Sequence, residues 1–189
     1  MNNSLIVPIV REEQQQQVQD QSQIYAMQYY GRICDTARDM RDQYCRGDYN
    51  DACASAEQLT ENSLNAIGEL NGGLSDNYRN HTTLVQRKKD FAPDLSISNR
   101  ALKRMEKAYI NRYPDPNTSL ISKNYTKPEA QKMILDACGV ADVALDSLNI
   151  SHYERFNQFG MPQNFNSVDS FMLQHMLFNG TSPAYCYTL

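Results

Sequence analysis

The chain has 189 residues, 41% of them apolar and 21% charged, with a formal net charge of −4. This composition is globular rather than disordered, and the length suits one domain with a real core. The acidic balance argues against a general nucleic-acid binder, whose footprint is basic, and no apolar run approaches the ~18 residues of a membrane span.

At the start, Met1 to Val10 lacks a basic region and its apolar stretch from Leu5 is interrupted by Pro8, so it does not read as a signal peptide. Arg11 to Asp20 is rich in glutamine, with Gln14 to Gln17 in a row. It reads either as the polar start of a helix or as a flexible connection, and residues 1–22 form a Gln-rich lead-in to a single mainly helical domain at 23–189. From Gln23 the pattern is helical. Ala26, Tyr30, Ile33, Ala37, Met40 and Tyr44 fall on one stripe, and Gly47 lies where a left-handed C-terminal residue is favoured. A second stripe follows at Ala52, Ala56, Leu59, Ser63, Ala66 and Leu70, and Asn71-Gly72-Gly73 stops it. Together they predict an antiparallel helical hairpin over 23–71 whose small-residue faces bury each other. Cys45 and Cys53 flank its turn and are a candidate disulfide. Arg46-Gly47-Asp48 spells an integrin-type tripeptide, but reads as the connection itself, using glycine for its dihedral freedom.

Residues 72–116 are read as a loop followed by a basic helix. Gly73 to Pro93 is polar and punctuated, hence mostly loop. Asn99 to Tyr113 predicts a helix with Leu102, Met105 and Tyr109 on one side and Arg100, Lys103, Arg104, Lys107 and Arg112 around the rest. The C-terminal region, 117–189, contains a clear helix start. Thr126-Lys127-Pro128-Glu129 is a capping box with proline in the first turn, and Ile134, Ala137, Ala141, Ala144 and Leu148 supply the apolar face. A last apolar segment, Val168 through Phe178, is either helix or a short buried strand. The fold class is therefore mostly α.

No catalytic constellation is visible. Gly73-Leu74-Ser75-Asp76-Asn77 lacks the second glycine of a nucleophile elbow, and His81, His152 and His175 share no metal spacing. With five cysteines, no CxxC pair and no phosphate-cradling loop, the expectation is no metal and no cofactor. Asn-x-Ser/Thr triplets occur at Asn2, Asn80, Asn117, Asn124, Asn149 and Asn179, against roughly two expected by chance. Used as glycan acceptors they would place the chain in a secretory pathway; otherwise it reads as intracellular.

Several segments resemble the helical cap of the serine carboxypeptidases. They are Tyr29-Tyr30-Gly31 opening a Cys-bearing hairpin, Gly72-Gly73-Leu74 leading to Asn77-Tyr78, and Asn124 to Lys132, where Tyr125, Pro128 and Glu129 begin a helix. Met176-Leu177-Phe178-Asn179-Gly180 before Cys186 is similar to the stretch that carries that family's catalytic aspartate. Thr181 and Pro183 stand where the family has its two Asp residues, and the nucleophile and histidine segments are absent. The resemblance thus implies a non-catalytic helical interaction protein, secreted and glycosylated, binding a protein partner. It leaves Asn80, Asn117, Asn124 and Asn149 as candidate acceptors, since the Asn179 triplet exists only through Thr181. The alternative expectation is an intracellular structural subunit of a larger assembly. Both expect a protein partner and no nucleic acid.

Overall fold

A 41-residue helix, α1 (Ile6–Arg46), opens the computed structural model, which describes residues 6–72, 82–112 and 123–150. At ~1.5 Å rise per residue it is about 60 Å long. Pro8 is tolerated because the backbone N–H groups of a first turn have no helical acceptor. The Gln-rich tract belongs to this helix, which settles the two readings of it: glutamine is a good helix former and the tract holds no breaker.

α1 stops at a Schellman turn. The Gly47 N–H donates to the Tyr44 carbonyl at 3.1 Å and the Asp48 N–H to the Gln43 carbonyl at 2.9 Å, with Gly47 at φ +85°. Arg46-Gly47-Asp48 is therefore the helix connection, and Arg46 Nε donates to Asp48 Oδ2 at 3.2 Å. A Cβ at Gly47 meets no neighbour, so its only penalty is the left-handed backbone. Gly47→Ala should lower unfolding stability by about 1 kcal/mol in urea denaturation, and Gly47→Asn by less.

The second helix, α2 (Tyr49–Leu70), runs back along the first. Ser55 Oγ donates to Gln43 Oε1 at 2.7 Å and Asn62 Nδ2 to Thr36 Oγ1 at 3.4 Å, so partners step in opposite directions along the two chains. This is the expected antiparallel hairpin. Ala26, Ile33, Ala37, Met40 and Tyr44 are buried against Ala52, Ala56, Leu59, Ser63 and Ala66, while Tyr30 and Leu70 are half-buried. The small residues let the helices approach closely.

The disulfide expectation is corrected. Cys45 and Cys53 form no bridge; Cys45 is exposed, whereas Cys53 is buried in the core. Burial, and then the charge of Glu129, pushes the Cys53 thiol up to about 12, so it stays protonated and unreactive.

A third helix, α3 (Leu84–Phe91), occupies part of the stretch expected to be loop. Thr83 caps it, its Oγ1 accepting the Gln86 N–H at 3.2 Å. The fourth, α4 (Asn99–Arg112), is the predicted basic helix with a rotated apolar face. Ala101, Leu102, Met105 and Ala108 are buried, and Tyr109, expected among them, is 38% exposed.

The fifth, α5 (Lys127–Ser147), starts at the predicted capping box. Glu129 Oε2 accepts from the Thr126 N–H and from Thr126 Oγ1, both at 2.9 Å, and Glu129 Oε1 accepts from Lys123 Nζ at 2.6 Å. These bonds, that to Lys123 first, hold the Glu129 carboxyl down to about 2. Ile134, Ala137, Ala141, Ala144 and Leu148 are buried as expected. Asn50 ties α5 to the hairpin tip, accepting from the Tyr125 N–H at 2.7 Å and donating to Asn124 Oδ1 at 3.0 Å.

Every other described helix packs on α2, which is buried on almost all sides. Among the described residues the fold is all helix and connecting segments, and no helix is long and apolar enough to cross a membrane. The segment read as helix or strand near the C-terminus lies outside the described residues.

Candidate functional site

A helix surrounded by other helices is expected to be apolar all round. α2 is not. Glu57, Glu61, Asn65 and Glu69 succeed one another at four-residue intervals, a slanting polar ridge along an otherwise Ala- and Leu-rich helix. Glu57, Asn65 and Glu69 are buried, and Glu61 is half-buried. Buried polar groups persist only when hydrogen-bonded or put to use.

What holds the middle of the ridge is Arg87 of α3, only 2% exposed. Its Nη2 pairs with Glu61 Oε1 at 2.9 Å, its Nη1 donates to Asn65 Oδ1, and its Nε donates to the Thr82 carbonyl at 3.1 Å. Each nitrogen of the guanidinium is thus engaged, which fixes the rotamers of two ridge residues at once. Glu106 of α4 closes the back of the cluster, its Oε1 accepting the Leu84 N–H at 2.6 Å. Glu57 lies near Glu61, Glu106 and Arg87, and its Oε2 is buried without a hydrogen-bond partner. Burial first, then the charges of Glu61 and Glu106, pushes its carboxyl up to about 8, against a smaller opposing pull from Arg87. Glu57 is accordingly a neutral acid at pH 7.

The opposite flank of the ridge opens to solvent. A cleft of about 340 Å³ lies between α1 and α2, lined by Tyr25, Gln28, Tyr29 and Arg32 on one wall and Glu61, Asn62, Asn65 and Glu69 on the other. Tyr25 and Tyr29 are one helical turn apart, as are Gln28 and Arg32, so one face of α1 supplies two rings, an amide and a cation. The Arg32 guanidinium lies over the Tyr29 ring, 5.2 Å from its centroid. On the α2 wall the hydrogen-bonding capacity is partly spoken for. The Asn65 carbonyl oxygen accepts from Arg87 with one lone pair, and its amide N–H groups are left to offer. Asn62 gives one N–H to Thr36 and keeps its second N–H and its oxygen. Glu61 keeps one carboxylate oxygen beyond the one on Arg87.

None of these eight residues was singled out from the sequence as a site. Of the candidate glycan acceptors, Asn80 and Asn117 lie outside the described residues, as do all three histidines. Asn124 is exposed and bonded to Asn50, and Asn149 sits at φ 56°, the left-handed residue that ends α5. No group of described residues is arranged to hold a metal ion.

Comparison with known families matches a HEPN domain over residues 34–147, more than half of the chain. The match begins inside α1 and ends with α5, so it covers the ridge, Arg87 and the α2 wall; the Tyr25–Arg32 wall lies just ahead of it. No curated protein and no solved structure matches the chain. The match overturns the resemblance to serine carboxypeptidases, two of whose segments, Gly73 to Tyr78 and Met176 to Cys186, lie outside the described residues. It also removes the functional expectation built on it, that of a non-catalytic carboxypeptidase-like cap, and lends no support to the structural-subunit alternative. An all-helical domain with every element packed on α2 fits the matched family, and the chain belongs to the HEPN domain family.

Proposed function

We propose that the cleft between α1 and α2 binds a nucleotide, with the base against the α2 ridge and the phosphate at Arg32. The observation that carries this is the buried ridge itself. A polar row on the central helix, locked from behind by a buried arginine and facing a cleft lined by tyrosines, is what a preorganised recognition surface requires. Membership of the HEPN family points the same way, towards nucleotide or RNA chemistry. Tyrosine faces stack on bases, amides and carboxylates read base edges, and an exposed guanidinium pairs with phosphate.

Size and charge limit the ligand. A cleft of about 340 Å³ is at the small end of ligand pockets, and a net charge of −4 with two carboxylates in the wall disfavours a long polyanion. A single nucleotide, or one flipped-out base, is the scale that fits. Isothermal titration of the purified chain with nucleoside 5′-monophosphates should give saturable binding. Arg32→Gln should weaken it about tenfold and reduce its salt dependence. Absence of binding at millimolar ligand contradicts the reading.

A further inference from the structure

The two tyrosines of the α1 wall stand one helical turn apart, yet their surroundings differ. Tyr29 is half-buried and packs against the hydrophobic core, and the Arg32 guanidinium lies over its ring, 5.2 Å from the centroid. Core packing and guanidinium together leave little of that ring for a ligand. Tyr25 is 38% exposed, takes no part in the core cluster and lines the cleft.

The placement of Arg32 has a physical cause. A carboxylate sits three residues ahead of it, Asp35, but that group pairs with Arg38 at 2.6 Å. Glu61 and Glu69 line the opposite wall of the cleft. A guanidinium pairing with either of them would cancel the charge that a phosphate needs. The face of Tyr29 gives Arg32 a competing seat on its own wall. Helical side chains lean towards the N-terminus, so Arg32 reaches back over Tyr29, and Tyr25 stands one further turn along, ~5.4 Å on the helix axis. A nucleotide with its base on Tyr25 therefore brings its own 5′-phosphate towards Arg32.

We propose that Tyr25 is the stacking platform of the cleft and that Tyr29 is a positioning residue, which holds Arg32 for the phosphate without touching the base. The inference rests on the nucleotide reading above and adds a division of roles within the α1 wall. That wall precedes the region matched to the family, residues 34–147.

Adenosine and adenosine 5′-monophosphate differ only in the phosphate, and both are titrated calorimetrically into the full chain and its variants. The parent should bind the monophosphate about tenfold more tightly than the nucleoside. Tyr25→Leu should weaken both ligands about tenfold and leave their ratio unchanged, because the same stacking is lost from each. Tyr29→Leu should leave adenosine within about twofold and cut the monophosphate's advantage to about threefold, and Tyr29→Phe, which keeps the ring face, should restore it. Equal weakening of both ligands by Tyr29→Leu, or no effect of Tyr25→Leu, would overturn the assignment. Because Tyr29 packs on the core, the same distinction is also read in the unaltered chain with carbon-13-labelled tyrosine rings. There adenosine should move the ring protons of Tyr25 upfield and leave those of Tyr29 in place; the reverse would overturn the proposal. Equal affinity of the parent for the two ligands would remove the phosphate role of Arg32 and with it that of Tyr29. Binding of neither would remove the nucleotide reading itself.

Discussion

Replacing Arg87 with methionine should destabilise the fold by about 3 kcal/mol, measured as the loss of unfolding free energy in urea. The side chain is 2% exposed and serves Glu61, Asn65 and the Thr82 carbonyl together. Methionine fills much of the volume but gives none of these bonds, so Asn65 Oδ1 and the Thr82 carbonyl lose their donor. Glu61 loses its cation. Glu61 is partly solvated, which keeps the expected effect at the lower end of what breaking a buried pair costs. Adding Glu61→Gln to the Arg87→Met chain should recover part of the loss, because it removes the charge that methionine orphans. A loss below about 1 kcal/mol would mean that the cluster is solvated rather than buried.

The second large effect is a pH dependence. Glu57 holds its proton up to about 8 in the folded chain and to an ordinary 4.5 when unfolded. Between those values the folded state binds more protons than the unfolded one, so stability falls as pH rises through that window and levels off above it. Below pH 4.5 the residue is protonated in both states and contributes no slope. Glu57→Gln mimics the neutral acid permanently, and should flatten this part of the profile. At pH 8 the variant should be more stable than the parent by roughly 2–4 kcal/mol, from about 1.4 kcal/mol per pH unit with allowance for relaxation. Equilibrium unfolding of both proteins from pH 5 to 9 checks this; parallel profiles would contradict it.

The hairpin was legible because Ala26 to Tyr44 and Ala52 to Leu70 repeat at 4- and 3-residue steps over more than five turns, and packing then follows the stripe. The start of α5 was legible for a local reason, since Thr126 and Glu129 satisfy each other within four residues. That same segment misled the family reading, because a capping box belongs to helices in general and carries no ancestry. α3 was missed because it is short and one of its two buried residues, Arg87, is of a type that sequence reasoning assigns to solvent. Thr83 followed by Gln86 was the available signal, a cap at the right spacing.

The cleft was illegible for a different reason. The spacing of Glu57, Glu61, Asn65 and Glu69 is visible, but a polar row on a helix ordinarily faces water. Only the contacts of α2 with the helices around it show that the row is enclosed. Its meaning depends on Arg87, 22 residues beyond Asn65, reaching it from another helix. Tyr109 failed in the opposite sense: its spacing from Leu102 and Met105 is helical, yet the face buried by α2 is set by Ala101 and Ala108.

The central claim, a nucleotide-binding cleft on the ridge, is tested most directly by mapping the side-chain amide resonances of Gln28, Asn62 and Asn65 in isotope-labelled protein during titration with guanosine monophosphate. The account predicts that these three shift together and saturably, while the amide of Asn50, at the far hairpin tip, stays in place. Shifts confined to the tip or spread evenly over the surface, with the three cleft amides unmoved, would contradict it.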